Sequence, residues 1–111
     1  MFEKNLELGY LLDFYGELLS PRKRSVMDMY YNEDFSLAEI ASEVGITRQG
    51  ARELIKKSED ELLFFEEKLG LAKKLRAATN SATELKAIAS KSALPEDFQK
   101  KLDELISLIE K

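Results

Sequence analysis

Apolar side chains recur at spacings of three and four along most of the chain, the period of one helix face. Leu8, Leu11, Leu12, Tyr15, Leu18 and Leu19 set this pattern over residues 6–19 and predict a first helix with a broad buried side. Ser20 then reads as an N-cap with Pro21 at the first helical position. They open a second helix over residues 21–33, whose stripe is Val26, Met27, Tyr30 and Tyr31. Ser36 and Glu39 have capping-box spacing ahead of a short third helix. Gly45 supplies the left-handed backbone that a sharp stop needs, and Thr47 caps a fourth helix that runs on to Gly70. Residues 71–78 either continue that helix or form another. Thr79, Asn80 and Ser81 read as a break, and Ser81 with Glu84 offers a further capping box for a short helix over 82–90. Pro95 begins the last helix, with Phe98, Leu102, Leu105, Ile106 and Ile109 along one face. Strand-type alternation is absent, so the expected fold class is all-α. Residues 1–70 should form one domain. Residues 71–111 should form a helical extension that packs on the long fourth helix or on a partner chain.

The third and fourth helices carry the most information. Across Leu37–Leu54, LAEIASEVGITRQGAREL, the small Ala41 lies where two helices must cross closely, and the turn glycine Gly45 follows four residues later. Ile40, Val44, Ile46, Ala51 and Leu54 are apolar where a helix-turn-helix packs its two helices together. With Arg48 at 0° and about 100° per residue, Arg52, Lys56 and Gln49 fall at about 40°, 80° and 100°. Ala51, Leu54, Ile55, Ser58 and Leu62 occupy the sector from about 240° to 340°. The basic face and the core face are therefore separate.

That basic face works against helix stability. Arg48, Arg52 and Lys56 stack like charges at i, i+4, each pair unfavourable by about 0.2–0.5 kcal/mol, and two of them lie toward the positive end of the helix dipole. Gly50 weakens the helix by about 1 kcal/mol relative to alanine while allowing close backbone approach to a groove. Arg22, Lys23 and Arg24 repeat the conflict in the first turn of the second helix. A phosphate strand would turn both conflicts into attraction. The plain alternative is a solvated face, with Lys56 paired to Asp60 one turn on.

Composition narrows the chemistry. The 111 residues include no cysteine and no histidine, which removes thiolate sites, disulfides and the commonest general base. Enzymatic activity is therefore not expected, nor is a cofactor or a metal. The acidic run Glu59-Asp60-Glu61 and the pair Glu66-Glu67 lack convergent ligands and read as a solvated face. Tyr10, Phe14, Tyr15, Phe64 and Phe65 have the spacing of core residues rather than stacking platforms. No phosphate-binding glycine loop is present. A net charge of −4 argues against a generic polyanion binder, so a local patch has to carry any nucleic-acid contact. Residues 1–69 hold nine basic and fifteen acidic side chains, net −6, and residues 70–111 hold eight and six, net +2. No apolar run approaches the roughly 18 residues that span a bilayer, and Met1–Asn5 lacks a signal-peptide pattern. A cytoplasmic location is expected.

The stretch from Leu11-Leu12-Asp13-Phe14-Tyr15-Gly16 through Tyr30-Tyr31, Ser36-Leu37-Ala38-Glu39-Ile40-Ala41 and Arg48-Gln49 to Glu66-Glu67-Lys68-Leu69 resembles the YlxM family of small bacterial proteins. The resemblance covers residues 6–71. The central part is also similar to the promoter-reading C-terminal region of sigma factors, a helix-turn-helix without a wing. This implies an all-helical protein with a regulatory role, associated through gene context with the signal recognition particle pathway. The sigma-like reading makes Arg48, Gln49, Arg52 and Lys56 groove-facing and Arg22 to Arg24 phosphate-facing. Gly50-Ala51 stands where a bulkier alanine-valine type of pair is expected, which should leave the recognition helix less firmly packed.

The leading expectation is a regulatory nucleic-acid-binding protein. Arg48, Gln49 and Arg52 would reach base edges, and Arg22, Lys23, Arg24, Lys56 and Lys57 would contact phosphate. A DNA operator and the particle's own RNA both remain open as targets. The alternative is an adaptor docking on the particle's GTPase or on itself, with a homodimer formed through the C-terminal helix.

Overall fold

The structure, a computed structural model, describes residues 4–110; the reading of Met1–Glu3 lies outside the described residues. The described residues form α1 (Leu6–Tyr15), a 3-10 turn (Gly16–Leu18), α2 (Pro21–Tyr31), α3 (Leu37–Val44), α4 (Arg48–Leu69), α5 (Leu71–Ser90) and α6 (Glu96–Glu110), with no strand. The all-α expectation holds. The chain divides into two compact units, Met1–Leu69 and Gly70–Lys111.

In the N-terminal unit α4 is the element on which α1, α2 and α3 all pack. Leu11, Val26, Met27, Ile40, Ile55 and Leu62 are fully buried among them. Each such side chain contributes about 1.5–3 kcal/mol by leaving water. The helix starts are set by side chains. Ser20 Oγ accepts from Lys23 N–H at 3.3 Å with Pro21 in the first turn. Ser36 and Glu39 make both bonds of the capping box, at 2.9 and 3.1 Å. Thr47 Oγ1 accepts from Gly50 N–H at 2.9 Å.

Leu18 departs from the expected stripe. The first helix ends at Tyr15 and tightens into a 3-10 turn at the buried Gly16, which swings Leu18 outward to 57% exposure. A Cβ at Gly16 would stand 3.4 Å from Leu12 Cδ1 and 3.7 Å from Arg24 Cζ, so the turn is closely packed.

In the C-terminal unit α5 and α6 pack against each other as a helical hairpin, turned over residues 91–95 and bridged by Lys86 and Asp103 at 3.6 Å. The break expected at Thr79-Asn80-Ser81 does not occur: α5 passes through it unbroken. Hydroxyls on either side of the expected cap Ser81 bond back to their own helix. Thr79 Oγ1 donates to the Leu75 carbonyl and Thr83 Oγ1 to that of Thr79, both at 2.9 Å. Of the predicted stripe on the last helix only Leu102 is buried, while Phe98 and Leu105 are exposed. Among the described residues, no helix is long and apolar enough to cross a membrane.

Candidate nucleic-acid interface

The two halves of the helix-turn-helix are α3 and α4. Gly45 takes φ +80° at the end of α3, and Gly45 N–H and Ile46 N–H both donate to the Ala41 carbonyl at 2.9 Å. This double return turns the chain within three residues, so that Ile40, Ala41, Ala51 and Ile55 lie buried where α3 packs on α4. Ala51 is 0% exposed, so the Gly50-Ala51 pair still gives the contact a fully buried side chain. Gly50 has an internal reason for lacking a side chain. A Cβ there would come within 3.1 Å of Thr47 Oγ1, the oxygen that caps the helix.

With its core face fixed, the first two turns of α4 present Arg48, Gln49 and Arg52 to solvent. They form one wall of a groove of about 860 Å³ whose other wall comes from Lys4, Tyr30 and the segment Asp34–Ala38. Asp34, at φ +56°, is the acid in this lining, and Lys4 forms an ion pair with it while standing 5.0 Å from the centre of the Tyr30 ring. The Lys4 ammonium holds the Asp34 carboxyl below its ordinary range. Three cations and one neutralised anion therefore line the groove in a unit whose net charge is −6. The Ser36 N–H that Glu39 accepts likewise lowers the Glu39 carboxyl from its ordinary range, at the start of α3.

The structure brings Arg48, Gln49 and Arg52 together and keeps the α2 cations elsewhere. Lys23 Nζ bonds Glu61 at 2.8 Å, thirteen residues along α4 from Arg48. At 1.5 Å per residue that is about 20 Å from the groove end. Arg24 lies 3.8 Å from both Glu17 and Asp28, and Lys56 pairs with Asp60 at 3.2 Å. Gln49 donates to Glu53 at 3.3 Å. Arg22, Arg48 and Lys57 are exposed, and among the described residues no carboxylate forms an ion pair with them.

The acids of α4 are more than a solvated face. Glu59 is buried and accepts from Tyr31 Oη at 2.5 Å; Glu66 accepts from Tyr15 Oη at the same distance. Burial first, and the bond to Glu59 next, push the Tyr31 phenol well above its usual range. Burial likewise raises Tyr30. These bonds fasten α1 and α2 to the far half of α4. A helical projection could have flagged Glu59, which falls at about 20°, beside Ile55 at the border of the core sector, but not Glu66, which falls at about 0° with Arg48.

A short helix, a left-handed glycine turn and a second helix with an exposed polar first face define a helix-turn-helix protein. Residues 2–105 match the family described as "Putative helix-turn-helix protein, YlxM / p13 like". A UPF0122 protein of Halalkalibacterium halodurans is 39% identical over 97% of this chain and 99% of its own length. A UPF0122 protein of Bacillus velezensis is 42% identical over 98% and 96%, and one of Clostridium perfringens 41% identical over 96% of each. This chain belongs to the UPF0122 family.

Proposed function

We propose that the protein binds nucleic acid through the first two turns of α4 and acts as a non-enzymatic cytoplasmic regulator. The observation that carries this reading is the cationic groove wall of Arg48, Gln49 and Arg52 on an otherwise acidic unit. Arginine suits the O6 and N7 of guanine, and glutamine the N6 and N7 of adenine, in a major groove about 12 Å wide. Arg22 and Lys57 serve as phosphate contacts. Arg24 and Lys56 join them by exchanging a surface carboxylate for phosphate, a small sacrifice because such pairs are worth about 0–1 kcal/mol, while Lys23 stays in its part-buried bond to Glu61. Duplex DNA is the target these side chains suit best, since the deep major groove of an RNA helix excludes them. What supports a place in the signal recognition particle pathway is the family resemblance. The exposed apolar side chains of the C-terminal unit favour a second reading, an adaptor that docks on protein, the particle's GTPase among its candidate partners.

Fluorescence anisotropy of labelled duplex DNA and of signal recognition particle RNA, across a salt series, separates these readings. Affinity should fall steeply with salt for the polyanion reading and stay nearly flat for an apolar interface. Arg48→Ala with Arg52→Ala should remove about 1–3 kcal/mol per lost base contact. If neither ligand binds at low salt, or the double variant binds as well as the wild type, the interface is not on this helix.

A further inference from the structure

The α5–α6 hairpin has one finished side and one open side. On α6, Gln99, Leu102, Ile106 and Ile109 follow one another at spacings of three, four and three, and they are the less exposed positions of that helix, facing α5. The adjoining line of Phe98, Lys101, Leu105 and Leu108 repeats the same spacing one residue earlier, and all four are exposed. With Leu85 of α5 they border an apolar trough of about 330 Å³. Ile88, one turn along α5 from Leu85, is 63% exposed. Two neighbouring lines of heptad spacing on one helix are the mark of a helix that contacts two others. Against this the unit's own buried set is small: Ala72, Ala82 and Ala89 from α5 and Leu102 from α6. A 42-residue unit with so slight a core is of the size that oligomerisation commonly completes.

We propose that a second copy of this chain covers the open side, with the two α6 helices antiparallel about a two-fold axis. The charges at the trough choose this occupant. Lys101 and Glu104 border it, and they stand almost symmetrically about the middle of α6, which runs from residue 96 to residue 110. Full antiparallel overlap of α6 with its own copy therefore sets Lys101 of one chain against Glu104 of the other, twice over. The same overlap brings Phe98 to within one residue of Leu108. A two-fold interface requires such self-complementarity, in which residue i meets j and j meets i. The pair already lies 3.3 Å apart within one helix, an exposed contact that exchanges readily for the same partner across the axis. The assembly is a four-helix bundle, and the inference stands independently of the nucleic-acid reading.

Sedimentation of the full chain over a concentration series tests it. Wild type should associate reversibly to a dimer, and Leu105→Glu with Leu108→Glu should be monomeric while its helical circular dichroism is retained. Lys101→Glu alone and Glu104→Lys alone should each weaken the dimer at least tenfold, because each sets like charges across the axis. Mixing the two single variants in equal amounts should restore dimerisation near the wild-type constant, as should Lys101→Glu with Glu104→Lys in one chain. A wild type that stays monomeric overturns the proposal and leaves the trough to a different partner. A dimer indifferent to the leucine substitutions overturns it too, as does a mixture of the single variants that fails to associate.

Discussion

The two units of this chain spend their apolar residues differently. The N-terminal unit buries Leu11, Met27, Ile40, Ile55 and Leu62 completely and adds phenol-to-carboxylate bonds between helices. The C-terminal unit buries small alanines along α5 and leaves Leu85, Ile88, Phe98, Leu105 and Leu108 exposed. Both have the same helical period. The difference teaches that periodicity states which residues share a face, while the partner that face meets depends on which other elements are present to receive it.

The sharpest way to break this contrast is to make equivalent truncations in the two units. Ile55→Ala should destabilise the protein by about 2–5 kcal/mol in urea unfolding, because a fully buried branched side chain leaves a cavity. Leu105→Ala, measured at dilution low enough to prevent association, should stay within about 0.5 kcal/mol of wild type. Equal losses at the two sites would mean that Leu105 supports a core comparable to that around Ile55.

Tyr31→Phe comes next in size. It strips the buried Glu59 of its donor and should cost about 1–3 kcal/mol. It should also change the alkaline limb of stability. The phenol titrates higher in the folded chain than its ordinary 10.0, so its contribution is complete below pH 10 and is lost as pH climbs past that value. Urea midpoints between pH 8 and pH 11 should therefore decline less steeply in Tyr31→Phe than in wild type. Tyr30, also raised by burial, leaves part of the slope in place. An unchanged slope would show that the clamp on α4 does not depend on this phenol.

How much of this was legible in the sequence follows from the range of each interaction. The caps at Ser20, Ser36 and Thr47 and the glycine turn at Gly45 are local. They stand where their spacing put them. The Thr79–Ser81 stretch is ambiguous in sequence. A hydroxyl residue can cap a new helix, as is expected of Ser81, or sit inside a running one, as Thr79 and Thr83 do by bonding back. The choice is made by packing rather than by composition. The partners of Glu59 and Glu66 were hidden for a different reason. Their donors lie 28 and 51 residues away, so an acidic run that looks solvated is in part a set of interior acceptors. The same distance rule hid the tie between Lys23 and Glu61, which divides one imagined basic surface into two places.

The smallest effect sharpens the reading of the recognition helix. Gly50→Ala gains about 1 kcal/mol of helix propensity but crowds the Thr47 cap, itself worth about 1 kcal/mol, so the net change should be close to zero. In a Thr47→Ala background the crowding oxygen is gone, and Gly50→Ala should then stabilise by nearly the full propensity gain. A double-mutant cycle from thermal melts reads the coupling. Additive effects would free Gly50 from any duty toward its neighbour.

The Tyr15–Glu66 and Tyr31–Glu59 bonds have a consequence for experiments in strong electrolyte. Each joins a carboxylate to an uncharged hydroxyl, so mobile ions have no opposite charge in the pair to shield, and the contact lies well inside a Debye length of about 8–10 Å. If α4 binds a polyanion as proposed, raising ionic strength should thus strip it off while the frame holding α4 keeps its geometry. Release and unfolding would be observed as separate events.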